Sequence, residues 1–232
     1  MLRLARDRLL LPVAMAALLI SALAYWWLDN GPHEIFGTAM FGLLGWHLTM
    51  NRRWFLKLRS GHYDARRWVV LMIHVWLGIT MAALVVTSVL ISRSVLGFAQ
   101  FTNSVSVIEL HWFSAYWVVI IVAVHAGTHW TRVMTVAANL LRLSPSPIRS
   151  GVLRLAALLL LGFGAWSFAV LGVSTKLTFS YSLEFWDFTS AVSPFFAHWT
   201  AVMASVAVLS HYTMAGLRSL DRTRIRTMEG RT

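Results

Sequence analysis

Residues 110–131 read LHWFSAYWVVIIVAVHAGTHWT, twenty-two positions without one Asp, Glu, Lys or Arg. About 20 such residues are what a helix needs to cross a ~30 Å hydrocarbon layer. The stretch decides the fold because it is one of six. The others are Leu9–Leu28, His33–Met50, Trp68–Ile91, Leu155–Thr175 and Pro194–Leu217, and only the second holds a charge, Glu34 in its first turn. Backbone polar groups in lipid must be satisfied within the segment, so helices are expected. A membrane β-barrel would need alternating segments of about 10 residues, and the sequence has none.

The composition agrees. Of 232 residues, 58% are hydrophobic and 12% charged, about half the charge of a soluble domain. That excludes an ordinary globular protein and a disordered one. There is no Cys. Disulfides, thiolate-bound zinc, iron–sulfur clusters and covalently attached haem are therefore excluded.

The formal charge of +11 is a matter of topology. Six spans place eighteen of the twenty Lys and Arg on one side, and only Arg93 and Lys176 on the other. The positive-inside rule makes that side, and both termini, cytoplasmic. The basic residues are thus expected near lipid headgroups rather than on nucleic acid. Arg3–Arg8, the apolar run and Ala22-Leu23-Ala24 also look like a secretory signal with its cleavage site. The run is long for a signal, and it is read as a retained first helix.

Asp29-Asn30-Gly31-Pro32 is a turn signal with Pro expected at the first helical position, and it makes the first two spans a hairpin. Ser144-Pro145-Ser146-Pro147 divides a four-helix part, 1–143, from a two-helix part, 148–232. Tyr181–Phe188 is expected to lie along the outer membrane surface as an aromatic belt. The expected fold is all-α, a six-helix integral membrane bundle.

Nine His in so apolar a chain need a reason. His33 and His47 are 14 residues apart on the second span, and His111 and His125 are 14 apart on the fourth. In a helix, that spacing leaves two side chains about 40° apart on one face and about 21 Å apart along the axis. The two spans run in the same direction. His33 with His111, and His47 with His125, then form facing pairs at two depths. This arrangement suits two non-covalent b-type haems, each held by two His, with the core formed by the first four helices. Slim residues Ala115, Val118 and Val122 lie between the ligands of the fourth span. Gly37, Phe41 and Leu44 lie between those of the second, and Phe41 is placed to stack between two rings.

Alternatives stand beside this. A lone membrane His is commonly a hydrogen-bonding residue between helices or part of a proton relay. His129, one turn below His125, competes with it, although the 111-to-129 gap of about 27 Å matches the 33-to-47 gap poorly. His74 and His211 form a third pair or flank a quinone, with a structural role the simpler reading. His198 is off the face of His211, and His62 falls in a basic loop. Haem propionates call for Arg or Lys. Arg52 and Arg53 follow His47, Arg132 follows His125, and Arg93 is the candidate at the outer end.

The elements His33-Glu34-Ile35-Phe36-Gly37, His47-Leu48-Thr49-Met50-Asn51-Arg52-Arg53-Trp54, Ser92-Arg93, His111-Trp112-Phe113-Ser114 and His125-Ala126-Gly127-Thr128-His129-Trp130 resemble a family of bacterial membrane proteins. That family was first described as a domain of unknown function and is grouped with cytochrome b561-like and flavinylation-associated cytochromes. The likeness covers residues 30–131. It implies a haem b electron carrier of the inner membrane, partnered with a redox protein on the outer face. His74 and the last two spans lie outside the likeness.

The expected function is electron transfer across the cytoplasmic membrane, between a quinone or cytoplasmic donor and an extracytoplasmic partner. There is no GxGxxG and no P-loop, so terminal chemistry falls to a partner or to quinone. The competing classes are a His-lined transporter and a cofactor-free membrane anchor. The spans lack the acids a transporter uses for coupling, and an anchor leaves the matched His unexplained.

Overall fold

The computed structural model describes residues 2–58, 63–99, 101–180 and 186–229, with side chains described from residue 9 to residue 219 within those ranges. Arg59, His62, Glu184 and the 181–185 part of the aromatic segment lie outside the described residues. Almost everything described is helical, and no strand occurs among the described residues.

The first apolar run is not one helix. α1 spans Leu2–Leu23, Ala24 breaks it, and a single turn, α2, covers Tyr25–Leu28. Asp29 turns the chain with φ 64° and ψ −177°, a strained combination that is otherwise almost confined to glycine. Its carboxylate accepts from the Asn30 N–H at 2.7 Å. α3 then runs Asn30–Met50, so Pro32 is its third residue rather than its first. α4 is a short turn, Arg52–Leu56.

α5 covers Ala65–Ile91 and opens on Asp64, whose side chain accepts from the Arg67 N–H at 2.7 Å. That is a standard N-cap, satisfying one of the free amides of the first turn. α6, Val105–Leu140, extends beyond the uncharged run at both ends. α7 starts at Pro147, with Ser146 capping it, and stops at Val170. Here the expected span to Thr175 is corrected. Gly172 takes φ 57°, which ends the helix, and Thr175 belongs to the short α8, Val173–Leu177. α9 runs Val192–Glu229.

Four helices are long and apolar enough to cross a membrane: Ala65–Ile91, Val105–Leu140, Pro147–Val170 and Val192–Ser219. The first two expected spans differ from these. Leu9–Leu23 is a shorter apolar helix, and α3 dilutes its apolar residues with Gly, Thr, Trp and His. Outward faces such as Ile79, Leu158 and Leu159, each about two-thirds exposed, are what lipid contact requires.

α6 is the hub. It packs along α5 on one side and α9 on another, α7 packs on α9, and the antiparallel α1–α3 pair docks through α1 onto α6. One core joins Leu19, Met40, Leu84, Val118 and Trp199, from α1, α3, α5, α6 and α9. It therefore draws on both the 1–143 and 148–232 parts. Close helix approach depends on two glycines. A Cβ on Gly127 would meet the Ala207 carbonyl and Ser210, and one on Gly164 would meet Ser205 and the Ala201 carbonyl. Small residues at such crossings are how membrane helices gain contact.

Of the segment expected along the outer surface, Trp186, Asp187 and Phe188 are described. Trp186 donates to the Ala191 carbonyl at 2.7 Å and packs on Phe195, while Phe188 packs on Phe195 at 4.8 Å and on Trp27. These rings pack against α9 and α2 at one end of the bundle.

Candidate histidine site

The histidines gather at the two ends of α3, α5 and α6. At one end, here the upper, are Asp29, Ser92 and Ser104. At the lower end are Trp54, Asp64 and Leu141.

The upper group is built by His33 and His111. Their ring centroids are 6.0 Å apart, with the planes at 71°. His33 sits in the first turn of α3, and its Nδ1 lies 2.7 Å from the carbonyl of Ala22. A carbonyl only accepts, so Nδ1 carries the proton and Nε2 keeps its lone pair. The break at Ala24 brings that carbonyl into place, because the last turn of α1 is left without a helix to continue into. His111 is buried. Its Nδ1 lies 3.2 Å from the Thr87 hydroxyl and 3.5 Å from Ser88. Thr87 donates its one proton to the Ala83 carbonyl at 2.7 Å. Toward His111 it therefore accepts, and His111 Nε2 also keeps a lone pair. Both rings have fixed orientation and a free ligating nitrogen, the arrangement that a metal-binding His needs.

The lower group is larger than the sequence suggested. His74 comes in from α5 and meets His125 at 4.9 Å and His129 at 6.2 Å, ring to ring. His125 and His129 are 4.9 Å apart. Ligand atoms of His74, His125 and His129 all lie within 4.8 Å of one another. His47 is within electrostatic range of all three. His74 is held as the upper rings are, with Nδ1 at 2.6 Å from the Val70 carbonyl, and Trp54 stacks on it at 4.3 Å. His125 differs: its Nδ1 is buried without a hydrogen-bond partner among the described residues. His47 is only weakly tethered, with Nε2 at 3.5 Å from Asn51. A cleft of about 300 Å³ opens beside Trp54, lined also by Lys57, Tyr63 and Arg67.

Between the two groups, α3 packs on α1 but runs alongside neither α5 nor α6. A Cβ added at Gly37, Gly42 or Gly45 would meet nothing within 4 Å. Gly37 is one turn below His33, and the α3 surface there is open. Phe41 and Leu44 pack against the core, and Val118 of α6 is fully buried in it.

The four candidate arginines are all exposed. Arg52, Arg53 and Arg132 lie at the lower end and Arg93 at the upper. Arg132, together with Arg66, is within electrostatic range of His129. The Arg93 guanidinium reaches Asn103 at 3.5 Å.

His198 and His211 stand apart from both groups. His198 is buried between α7 and α9, 2.8 Å from the Ser167 hydroxyl and stacked on Phe163. His211 lies beside Tyr212. Sequence reasoning underrated His74, although its position nine residues into α5 gave its depth. Thr87 and the Trp54 stack had no sequence signal.

Comparison with protein-family models, with curated proteins and with solved structures finds no match for this chain.

Proposed function

We propose that this chain is a six-span, b-type dihaem cytochrome of the bacterial inner membrane, with both termini cytoplasmic, that carries electrons between its two faces. The observation that carries the reading is the His33–His111 pair. Its 6.0 Å ring separation is of the size that two metal–nitrogen bonds of about 2 Å each and two half-rings add up to. Each ring has its Nδ1 engaged, and free space adjoins α3. These residues fit a haem held by two imidazoles. Such a group, held by these two residues, would supply one-electron chemistry.

The chain's own part is to hold and insulate. Ala22 and Thr87 fix the ring tautomers. The buried side chains around Val118 keep water from the centre of the bundle. At the lower end, His125 with His47 is the assigned pair, His74 and His129 crowd it, and Arg132 is the nearest assigned cation for a propionate. Arg52 and Arg53 at the lower end and Arg93 at the upper are assigned the same role. Electrons enter from a quinone or cytoplasmic donor and leave to an outer-face redox partner, as in the flavinylation-associated family the motifs resemble.

A second reading of the lower group has one observation in its favour. Three His with ligand atoms within 4.8 Å of one another suit a single transition-metal ion. Haem extraction with metal analysis of the purified protein decides. Two haems per chain support the dihaem reading. One haem with one further metal ion supports the second. No haem sinks both and leaves the transporter or anchor.

A further inference from the structure

Glu34 stands next to His33 and collects hydrogen bonds from residues some sixty positions on in the sequence. Its carboxylate accepts from the Ser92 hydroxyl at 2.7 Å and from the backbone N–H groups of Arg93, Ser94 and Val95 at 2.6, 3.0 and 2.7 Å. It also accepts from Asn30 Nδ2 at 2.9 Å. Asn30 in turn donates to the Ser94 hydroxyl at 2.7 Å, and Leu96 N–H donates to Ser92 Oγ at 2.9 Å. Every partner is a donor, as an ionised carboxylate requires. The segment it grips, 92–95, is the exit from α5. Five residues before Ser92 is Thr87, which holds His111.

α3 has no extended packing on α5 or α6 to fix this end. Residues of its first turn do it instead. His33 ties α3 to α1 through Ala22, and Glu34, seconded by Asn30 on Ser94, ties α3 to the end of α5. We propose that Glu34 is a positioning residue: its carboxylate clamps α3 to the α5 exit loop and thereby sets the spacing of His33 from His111. The clamp is a matter of geometry. Its effect on a bound haem rests on the function proposed above.

The test exploits the absence of native Cys. Spin labels are placed at Ile35→Cys and Val95→Cys, both exposed side chains, in the full-length chain. With Glu34 present, the inter-label distance distribution is narrow. Glu34→Gln is the telling variant, because it keeps the shape but puts an NH2 against a ring of donors. It and Glu34→Ala should both broaden the distribution, and Glu34→Asp should restore part of the narrowness. The upper haem's low-spin signal should be lost or turn high-spin in Gln and Ala, while the lower site's signal persists as a control for folding. A distribution as narrow in Gln and Ala as in wild type overturns the clamp. A broadened distribution with an unchanged upper haem overturns the positioning role. Absence of haem from the wild type refutes the functional reading, and the distance measurement still tests the clamp.

Discussion

Thr87 shows how much rests on single hydroxyls. Its acceptor lone pair faces His111 at 3.2 Å, so Thr87→Val keeps the shape and removes the orienting bond. Loss of such a partner typically costs 10–100-fold in metal-site affinity. Haem titration into the depleted variant should show a weakening of about 10-fold or more at one site only, and unchanged binding would show that Ser88 or packing suffices. Asp187 gives a pH test away from the spans. The hydroxyls of Ser190 and Thr189 and the Thr189 N–H donate to its carboxylate and hold it down at about 2. The bonds favour the charged form. Their stabilisation of the turn into α9 is present above the unfolded value near 3.9 and fades as pH falls through about 2. Carboxyl-carbon NMR of Asp187 should titrate near 2, and a midpoint near 3.9 would show the bonds absent in solution.

The helices reveal which glycines matter. Gly127 faces the Ala207 backbone across the α6–α9 contact, whereas Gly162 has nothing within 4 Å of a Cβ. Gly127→Ala therefore forces a backbone shift, with overpacking of this kind costing about 1–3 kcal/mol. Gly162→Ala, in an open helical site, should stabilise by roughly 0.5–1 kcal/mol. Thermal unfolding in detergent should move in opposite directions for the two, and equal shifts would contradict the assigned contact. The same level shows what sequence could supply. Uncharged length placed α5, α6, α7 and α9 well, because hydropathy is local. Helix ends were less legible. Gly172 at positive φ and the Ala24 break depend on backbone geometry, and α6 carries Glu109 and Arg132 within its helix. The His33–His111 approach was readable from equal spacing on parallel helices. The His74 contribution was not, since it depends on how α5 rotates against α6, and Glu34 grips amides some sixty residues away.

For the whole molecule, the charge ledger predicts an orientation that can be measured. Reporters inserted after Asn30 and Ser104 should read outside, and one after Ser146 inside. A reversal at Asn30 or at Ser104 alone would part His33 from His111 in depth. The central claim is that these two histidines hold one haem between them, and reduced-minus-oxidised spectra collected through a redox titration test it most directly. In the wild type two low-spin components should titrate. His33→Ala and His111→Ala should each remove the same component and leave the other at its wild-type potential. Removal of different components by the two variants, or retention of both components in each, would contradict the account.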